Sequence, residues 1–369
     1  MKITRLTVWQ KDLPLAEPYW LSGGRLKFEV LDATFIRIDT DEGVTGWGEG
    51  TPWGHTYLPA HGPGIRAGVE TMAGAVLSLD PRQPALVERA MDICLPGHLY
   101  AKAPIDMAVM DIAGQAAGVP ISHLLGGAFP GGSPLASSIS TGTPEEMQAL
   151  IERYRAKGYT HHSAKIGADV EQDIARVRHL EAHRAPGDVI FFDVNRAWTR
   201  AQAITAMNAL RDCQVAFEQP CETLEDCAAV RRATSNPIII DERLETLGDM
   251  TRIVAEGIAE GVNIKLNRVG GLTKAARLRD LAVAHGIEIA IMPTGGSVLA
   301  DTEAAHLAQS IPPELRLRTW SCQDLLTLDP APGRGARNTD GLLTAPGAPG
   351  LGVAPDLDWL GEPVASYGG

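Results

Sequence analysis

The N-terminal third of the chain combines two patterns of apolar positions. Three segments alternate apolar and polar residues, as antiparallel strands with one buried face do; they are residues 2–10, 30–40 and 44–50. Two later segments repeat apolar residues at every third or fourth position, which predicts amphipathic helices; they are residues 65–79 and 101–118. Strands followed by helices predict an α+β domain, which we assign to residues 1–125.

From Leu135 onward the pattern changes to a repeated unit of a short apolar stretch, a helix start and an amphipathic helix. Four helix starts match a capping box, in which two side chains bond the free backbone N–H groups; they are Thr143 with Glu146, Asp169 with Gln172, Thr199 with Gln202, and Thr246 with Asp249. The predicted strands lie near residues 135–140, 160–166, 188–193, 214–218, 236–241, 261–265, 287–292 and 315–319. Eight strands that alternate with helices predict a parallel β/α barrel.

Charged residues end five consecutive predicted strands. They are Lys165, Asp193, Glu218, Asp241 and Lys265, and the successive gaps are 28, 25, 23 and 24 residues, or one β/α unit each. Because the carboxyl ends of barrel strands share one face, where active sites lie, we expect these side chains to converge. A single lysine or aspartate at a strand end is usually exposed, ion-paired or a helix cap. The prediction therefore depends on their joint placement.

This set of residues favours metal-assisted proton transfer. Crowded carboxylates repel one another, a divalent cation relieves that repulsion, and all-oxygen ligands favour Mg²⁺. A carboxylate substrate on the metal can lose its α-proton, because the cation stabilises the resulting enolate. A lysine becomes a base near neutral pH when burial and a nearby dication lower its pKa. We predict Lys165 and Lys265 as acid/base residues, and Asp193, Glu218 and Asp241 as ligands of one Mg²⁺ per subunit.

The motifs around these residues resemble those of the mandelate racemase and muconate lactonizing branch of the enolase superfamily, over nearly the whole chain. The matching motifs are SAKIG at 163–167, FFDVNRAW at 191–198, FEQP at 217–220, IIIDE at 238–242 and NIKLNRVGGLTKA at 263–275. The resemblance implies an α/β fold: a modified TIM barrel of the (β/α)₇β type at 126–329, with an N-terminal α+β capping domain at 1–125 that a C-terminal segment of about 330–369 completes. It also implies that Asn195 and Glu242 support the metal ligands from behind.

Two positions place the chain within that family. The second-strand motif is usually Lys-x-Lys, and here Ser163 stands at its first position, on the same side of the strand as Lys165. More of the lowering of the Lys165 pKa must then come from the metal and from burial. The seventh strand ends in IMPTGG at 291–296, without the histidine of the mandelate racemase type. The two-lysine type remains, in which opposed lysines suit 1,1-proton transfer and a racemised or epimerised product.

Aromatic residues indicate where the substrate lies. The predicted substrate-binding residues are Trp320, Tyr57, His55, Trp20 and Thr294. Trp320 ends the eighth predicted strand, where dipeptide epimerases of the family usually carry acidic residues. A tryptophan face attracts cations, and quaternary ammonium groups are the recurrent ligands of aromatic cages. Ordinary packing between cap and barrel accounts equally well for each aromatic residue taken singly. Gly23 and Gly24, next to Trp20, would permit hinge motion of a lid.

The resemblance extends to the proline betaine racemases and 4-hydroxyproline betaine 2-epimerases of the family. It implies a Mg²⁺-dependent racemase or epimerase for a small zwitterionic carboxylate, an N,N-dimethylated proline or hydroxyproline. Several alternatives remain open: an N-acylamino acid or dipeptide racemase, a muconate-type cycloisomerase, or a syn-dehydrating synthase. A betaine-binding barrel without catalysis is a further alternative, although binding alone needs no opposed bases.

Composition excludes other classes of function. The net charge of −12 argues against nucleic acid and anionic membranes as partners. The N-terminus lacks the apolar core of a signal peptide, and no apolar run approaches the length of a membrane span. The five cysteines are scattered and without zinc-site spacing. We therefore expect a cytoplasmic enzyme with reduced thiols, and the family resemblance implies a homo-oligomer, either a dimer or an octamer.

Overall fold

The structure is a computed structural model, and it describes residues 1–21 and 26–369. The predicted hinge glycines Gly23 and Gly24 lie outside the described residues. The N-terminal elements are β1 (Ile3–Leu21), β2 (Leu26–Thr40), β3 (Thr45–Gly50), α1 (Gly62–Val76), α2 (Pro84–Cys94), α3 (Leu99–Ala117) and α4 (Ile121–Leu124). The three strands pair antiparallel. The first strand is longer than predicted, because an irregularity between Pro14 and Tyr19 lets its pairing with β2 continue beyond the alternating segment.

The following elements alternate between strand and helix. They are β4 (Ser133–Pro134), β5 (Ala136–Ile139), α5 (Pro144–Arg155), β6 (His161–Lys165), α6 (Val170–Ala182), β7 (Val189–Asp193), α7 (Arg200–Ala209), β8 (Ala216–Glu218), α8 (Leu224–Ala233), β9 (Ile238–Ile240), α9 (Leu247–Glu256), β10 (Gly261–Lys265), α10 (Leu266–Val269), α11 (Leu272–Ala284), β11 (Glu288–Met292), α12 (Val298–Gln309) and β12 (Arg316–Thr319). The remaining elements are a 3₁₀ turn (Gln323–Leu325), β13 (Asn338–Thr339), β14 (Leu342–Leu343), α13 (Leu357–Leu360) and β15 (Ala365–Gly368).

Eight parallel strands form the barrel, in chain order from β5 to β12. A bridge between Leu135 and Thr319 brings the first strand against the last, so the sheet closes on itself. Most strand residues are buried, and some strands are wholly apolar, such as Ile238–Ile240, because helices cover the outer face of a parallel sheet. The predicted modified TIM barrel with a capping domain is confirmed. The eight predicted strands all occur at their expected places.

Helix starts follow the capping prediction with one difference. Thr143, Thr199 and Thr246 each form a reciprocal capping box with the residue three positions later. Asp169 accepts hydrogen bonds from two backbone N–H groups at the start of α6 but has no reciprocal bond. The amide oxygen of Gln172 instead accepts from Arg176 at 3.3 Å.

The cap packs tightly within itself and is hydrogen-bonded to the barrel. A Cβ atom added at Gly48 of β3 would lie 1.8 Å from the carbonyl oxygen of Pro104, so only glycine allows α3 to approach this strand. The Glu49 carboxylate reaches the barrel, where it accepts from the N–H and Oγ of Ser297 at 2.8 and 2.6 Å. The C-terminal strand β15 returns to pair with β1. Among the described helices, none has the length and apolarity needed to cross a membrane.

Candidate active site

The carboxyl ends of three neighbouring strands hold the first charged residues side by side. Lys165 of β6 pairs in register with Asp193 of β7, which pairs with Glu218 of β8. All three side chains are buried and line one cavity at the mouth of the barrel. Lys265 ends β10 and lines the same cavity. The strands β6 and β10 are four apart in a ring of eight, so the two lysines face each other.

Each lysine is paired with a carboxylate. Lys165 Nζ lies 2.5 Å from Asp193 Oδ2, and Lys265 Nζ lies 2.7 Å from Asp241 Oδ2. Burial alone would lower the pKa of Lys165, but the nearby charge of Asp193 outweighs burial and holds that pKa above its ordinary value. In this ion-paired state Lys165 is an ammonium and not a base. The lower Lys165 pKa that the sequence predicts therefore requires another cation to take the place of Lys165 beside Asp193.

Two buried arginines, which sequence reasoning missed, hold the other carboxylate oxygens. Arg268 donates to Asp241 Oδ1 at 2.9 Å, and Arg318 donates to Glu218 Oε2 at 2.5 Å. Burial would raise the pKa of Asp241, but Lys265 and Arg268 together bring it down to about 2. The alternation of "LRLRTW" at 315–320 could have revealed Arg318, because it lies two residues before Trp320 and so faces the same side.

The donor set has the chemistry of a magnesium site. It contains only oxygen ligands, which Mg²⁺ prefers, and the buried oxygen atoms Asn195 Oδ1 and Glu242 Oε2 have no hydrogen-bond partner in the part of the chain that the structure describes. Among the described residues no three acidic, histidine or cysteine side chains are arranged to hold a metal as they stand. The carboxylate oxygens of the three candidate ligands are held instead by lysine ammonium and arginine guanidinium groups. Asp193, Glu218 and Asp241 therefore fit the metal by their chemistry, once the lysines release their oxygens.

Hydrogen bonds join Asn195 and Glu242, which the family resemblance implies behind the metal ligands, to this cluster. The backbone N–H of Asn195 donates to Asp193 Oδ1 at 2.9 Å, and its side-chain amide donates to Glu242 Oε1 at 3.2 Å. The hydroxyl of Tyr57, which comes from the cap, donates to the same Glu242 oxygen at 2.6 Å. Arg196 donates to the Tyr57 carbonyl at 3.0 Å. The cap loop is thus bonded directly to the residues behind the candidate metal ligands.

An aromatic wall closes the other side of the cavity. Tyr19 stacks on Trp53 with ring centroids 4.8 Å apart, and Trp53 lies 6.0 Å from Trp320. Thr294 lies beside them with φ of 109°, a conformation that is strained for a β-branched residue, and its carbonyl accepts from the Trp53 indole at 2.7 Å. Backbone strain of this kind clusters at functional sites.

The structure brings most of the predicted substrate residues together, but not all. Trp320, Tyr57 and Thr294 line the cavity. Ser163, which the sequence places beside Lys165 and not among the substrate residues, lines it as well. His55 and Trp20 do not line it: His55 is exposed, and Trp20 is 42% exposed with the Lys27 ammonium 5.7 Å from its ring. Neither residue reaches the cavity, because each points to solvent from its cap segment.

Two known protein-domain families match almost the whole chain. Residues 4–126 match the mandelate racemase / muconate lactonizing enzyme N-terminal domain, and residues 146–359 match the enolase C-terminal domain-like family. The chain belongs to the mandelate racemase and muconate lactonizing enzyme family of the enolase superfamily. Relatives within this superfamily are enzymes, and they include racemases, epimerases, dehydratases and cycloisomerases.

Individual relatives cover the full length of this family member. A cis-3-hydroxy-L-proline dehydratase of Roseibium aggregatum is 40% identical over 368 residues and covers 100% of both chains. A solved mandelate racemase/muconate lactonizing enzyme structure from Silicibacter pomeroyi is 60% identical, with a TM-score of 0.97 and full coverage of both chains. An enolase superfamily structure from Roseovarius nubinhibens, solved with magnesium, is 56% identical, with a TM-score of 0.96 and full coverage of both.

Proposed function

We propose that this enzyme transfers the α-proton of a proline-derived zwitterion, and that it racemises proline betaine or epimerises 4-hydroxyproline betaine at C2. The observation that carries the proposal is the placement of Lys165 and Lys265 on opposite strands around one cavity, with an aromatic wall beside them. The α-carbon of a substrate between the two lysines can lose its proton to one of them, and the planar enolate that forms can receive a proton from the other lysine on its far face.

The chain's own groups prepare this reaction in the following way. Asp193, Glu218 and Asp241 would hold Mg²⁺, which supplies electrostatic stabilisation of the enolate when bound. Lys165 and Lys265 each exchange a proton at their Nζ with one face of the α-carbon. Burial of both lysines excludes water, so the proton that one lysine removes does not reach bulk solvent at once.

The aromatic side chains of the cavity support a betaine as the substrate, because they suit a methylated nitrogen. Tyr19, Trp53 and Trp320 present ring faces, to which a methylated ammonium binds without hydrogen bonds. Among the described residues that line the cavity, the carboxylates of Asp193 and Glu218 already hold Lys165 and Arg318. A substrate with N–H groups would therefore meet no unpaired carboxylate on this wall.

Proton NMR in D₂O tests the proposal. The enzyme with Mg²⁺ is incubated with proline betaine, 4-hydroxyproline betaine, an N-acylamino acid, a dipeptide and free proline, while optical rotation is followed. We expect loss of the α-proton signal with inversion for the betaines. Exchange on the acyl compounds alone would keep the lysine mechanism and remove the betaine. No exchange on any of them, in folded and metal-loaded protein, would contradict proton transfer at the α-carbon of these substrates.

Dehydration of a 3-hydroxyproline is the second candidate function, and the 40% identical relative favours it. The same α-proton abstraction begins that reaction, after which the C3 hydroxyl leaves as water and an enamine forms. In cis-3-hydroxy-L-proline the hydroxyl lies on the ring face opposite the α-hydrogen, so one lysine would take the α-proton and the opposed lysine would protonate the leaving hydroxyl. Adding cis-3-hydroxy-L-proline to the panel separates the two functions, since dehydration removes the signals of the C3 proton and consumes the substrate without producing an epimer.

A further inference from the structure

Ser138 links the cap to the barrel at the aromatic wall. It lies on β5, the first barrel strand, and its side chain lines the cavity that the two lysines face. Its Oγ accepts a hydrogen bond from the Tyr19 hydroxyl at 2.7 Å and another from the Trp320 indole N–H at 3.0 Å. Tyr19 belongs to the cap strand β1, whereas Trp320 follows the last barrel strand. The Ser138 hydroxyl therefore connects the cap part and the barrel part of the aromatic wall.

These bonds determine which atoms the wall offers to a substrate. The indole N–H of Trp320 is used by Ser138, and the indole N–H of Trp53 is used by the Thr294 carbonyl. The Tyr19 hydroxyl proton is also used by Ser138. All three aromatic side chains have turned their polar hydrogens to the protein, so the surface that remains for a ligand consists of ring faces.

We infer that Ser138 is a positioning residue that makes this pocket prefer a quaternary nitrogen to a secondary or primary ammonium; the inference rests on the proposed function. A serine oxygen has two lone pairs, and Tyr19 and Trp320 occupy both. A quaternary nitrogen needs no acceptor, whereas an ammonium brings N–H groups that lose their water and need new acceptors. With both lone pairs used, the Ser138 hydroxyl offers no acceptor to such N–H groups, and its two hydrogen bonds hold the rings of Tyr19 and Trp320 in place at the cavity.

A Ser138→Ala substitution should reverse this effect. The buried Trp320 N–H and Tyr19 hydroxyl lose their shared acceptor, and both rings lose the bond that fixes their orientation. We expect the variant to bind a quaternary ammonium ligand more weakly than the wild type does. The ratio of its affinities for quaternary and primary ammonium ligands should also be smaller.

The first measurement needs no turnover. Protein labelled with ¹⁵N-tryptophan carries seven indole N–H groups, and a Trp320→Phe variant identifies the Trp320 resonance. We expect this resonance to shift in Ser138→Ala, and to stay in place in Ser137→Ala. Ser137 is the matched control, because it is the preceding residue of the same strand and its Oγ bonds His162 at 2.8 Å, away from the cavity. An unmoved Trp320 resonance in Ser138→Ala would overturn the inference.

The second measurement tests specificity with trimethylglycine and glycine as probes. Wild-type protein should bind trimethylglycine more tightly than glycine, and the ratio of the two dissociation constants should fall by about 3- to 10-fold in Ser138→Ala. Tyr19→Phe, which leaves the Trp320 bond to Ser138 intact, should give a smaller change. For turnover of proline betaine the loss should appear in KM more than in kcat.

The outcomes separate this inference from the proposed function. Wild-type protein that binds neither probe and exchanges no α-proton would contradict the betaine proposal, and with it the specificity role. Wild-type protein that prefers trimethylglycine, together with an unchanged preference in Ser138→Ala, would overturn the role of Ser138 alone. A preference that narrows in Ser138→Ala and persists in Ser137→Ala would support it.

Discussion

Lys165 and Lys265 end strands that lie opposite each other in the barrel, and both face the same cavity at the barrel mouth. Each ammonium is held by an aspartate on the neighbouring strand toward the centre of the carboxylate row, Lys165 by Asp193 and Lys265 by Asp241. The two halves of the site are thus arranged alike around Glu218. This relationship makes the lysines alternative counter-ions for the oxygens that a metal would use.

Substitution of either lysine should strongly slow racemisation while α-proton exchange continues on one face of the substrate. In Lys165→Ala and Lys265→Ala we expect racemisation to slow by at least about 10²-fold, because each variant lacks one of two proton-transfer groups. Each variant should retain exchange of the α-proton of one enantiomer, and the two variants should retain opposite enantiomers. Proton NMR in D₂O with resolved enantiomers measures this. Lys157→Ala, at an exposed lysine, is the control and should behave as wild type.

Magnesium affinity should respond in opposite directions to loss of a carboxylate and loss of a lysine. Asp241→Asn should weaken Mg²⁺ binding by at least about tenfold in calorimetric titration, since a ligand oxygen and its charge are lost. Lys265→Met should bind Mg²⁺ at least as tightly as wild type, because it removes the ammonium that holds Asp241 Oδ2. Asp212→Asn, at an exposed aspartate, is the control. Weaker binding in Lys265→Met would contradict competition between lysine and metal.

Loss of one partner of the buried pair Arg318–Glu218 should lower the free energy of unfolding strongly, whereas replacement of both partners should lower it little. Arg318→Met leaves the Glu218 charge buried without its partner, and we expect the free energy of unfolding in urea to fall by roughly 3–5 kcal/mol. The double variant Arg318→Met/Glu218→Gln should recover most of that loss, because no unpaired charge remains. Arg178→Met, which breaks an exposed pair with Asp212, should change stability little. A double variant no more stable than the single one would show that Arg318 contributes mainly through packing on Phe191.

Stability should fall in weak acid because of His306. This residue is buried on α12, where its Nδ1 lies 3.3 Å from the Ser122 N–H and its Nε2 lies 3.0 Å from the Leu351 carbonyl. Burial lowers the pKa of His306 to about 4, below its ordinary 6.5. Between these values the unfolded chain takes up a proton that the folded chain refuses, so the free energy of unfolding decreases as pH falls from about 6.5 to about 4.

The size of this effect follows from the shift, and is about 3 kcal/mol at most. Urea denaturation of wild type and His306→Gln at pH 7.5 and 5 measures it, and the difference between the two proteins should shrink at the lower pH. The half-buried His161 and the buried His162 also have lowered pKa values, but they are present in both proteins, so their contributions to the pH dependence cancel in the comparison. His285→Gln, at an exposed histidine, should retain the wild-type pH dependence. A pH-independent difference would show that His306 acts only by packing.

Glycine substitutions should show how closely β3 and α3 pack within the cap. Gly48→Ala places a methyl group 1.8 Å from the Pro104 carbonyl oxygen, so β3 and α3 must separate and the thermal midpoint should drop. Gly74→Ala, in the helix α1 with open space around the new Cβ, should instead stabilise by about 0.5–1 kcal/mol. Scanning calorimetry compares them. A neutral Gly48→Ala would indicate that α3 can move away from the sheet.

Much of the fold could be predicted from the sequence because its signals are local. Alternation marked β2 and β3, threonine caps marked α5, α7 and α9, and the repeat of short stretches between amphipathic helices marked the eight barrel strands. The charged strand ends followed from the same periodicity, since parallel strands in a barrel share one mouth. These features need only neighbouring residues and the geometry of the strand.

Other features depend on contacts between residues far apart in the chain, which only the tertiary structure decides. The hydrogen bonds of Ser138 join residues 119 and 182 positions away, and no local pattern predicts such partners. The same holds for Arg318, whose partner Glu218 lies 100 positions earlier. His55 and Trp20 have the composition of pocket residues, yet the path of their cap segments turns them to solvent. Sequence periodicity thus determined which residues reach the barrel mouth, whereas packing of cap on barrel decided which of them meet, because a side chain's partner depends on the whole path of the chain.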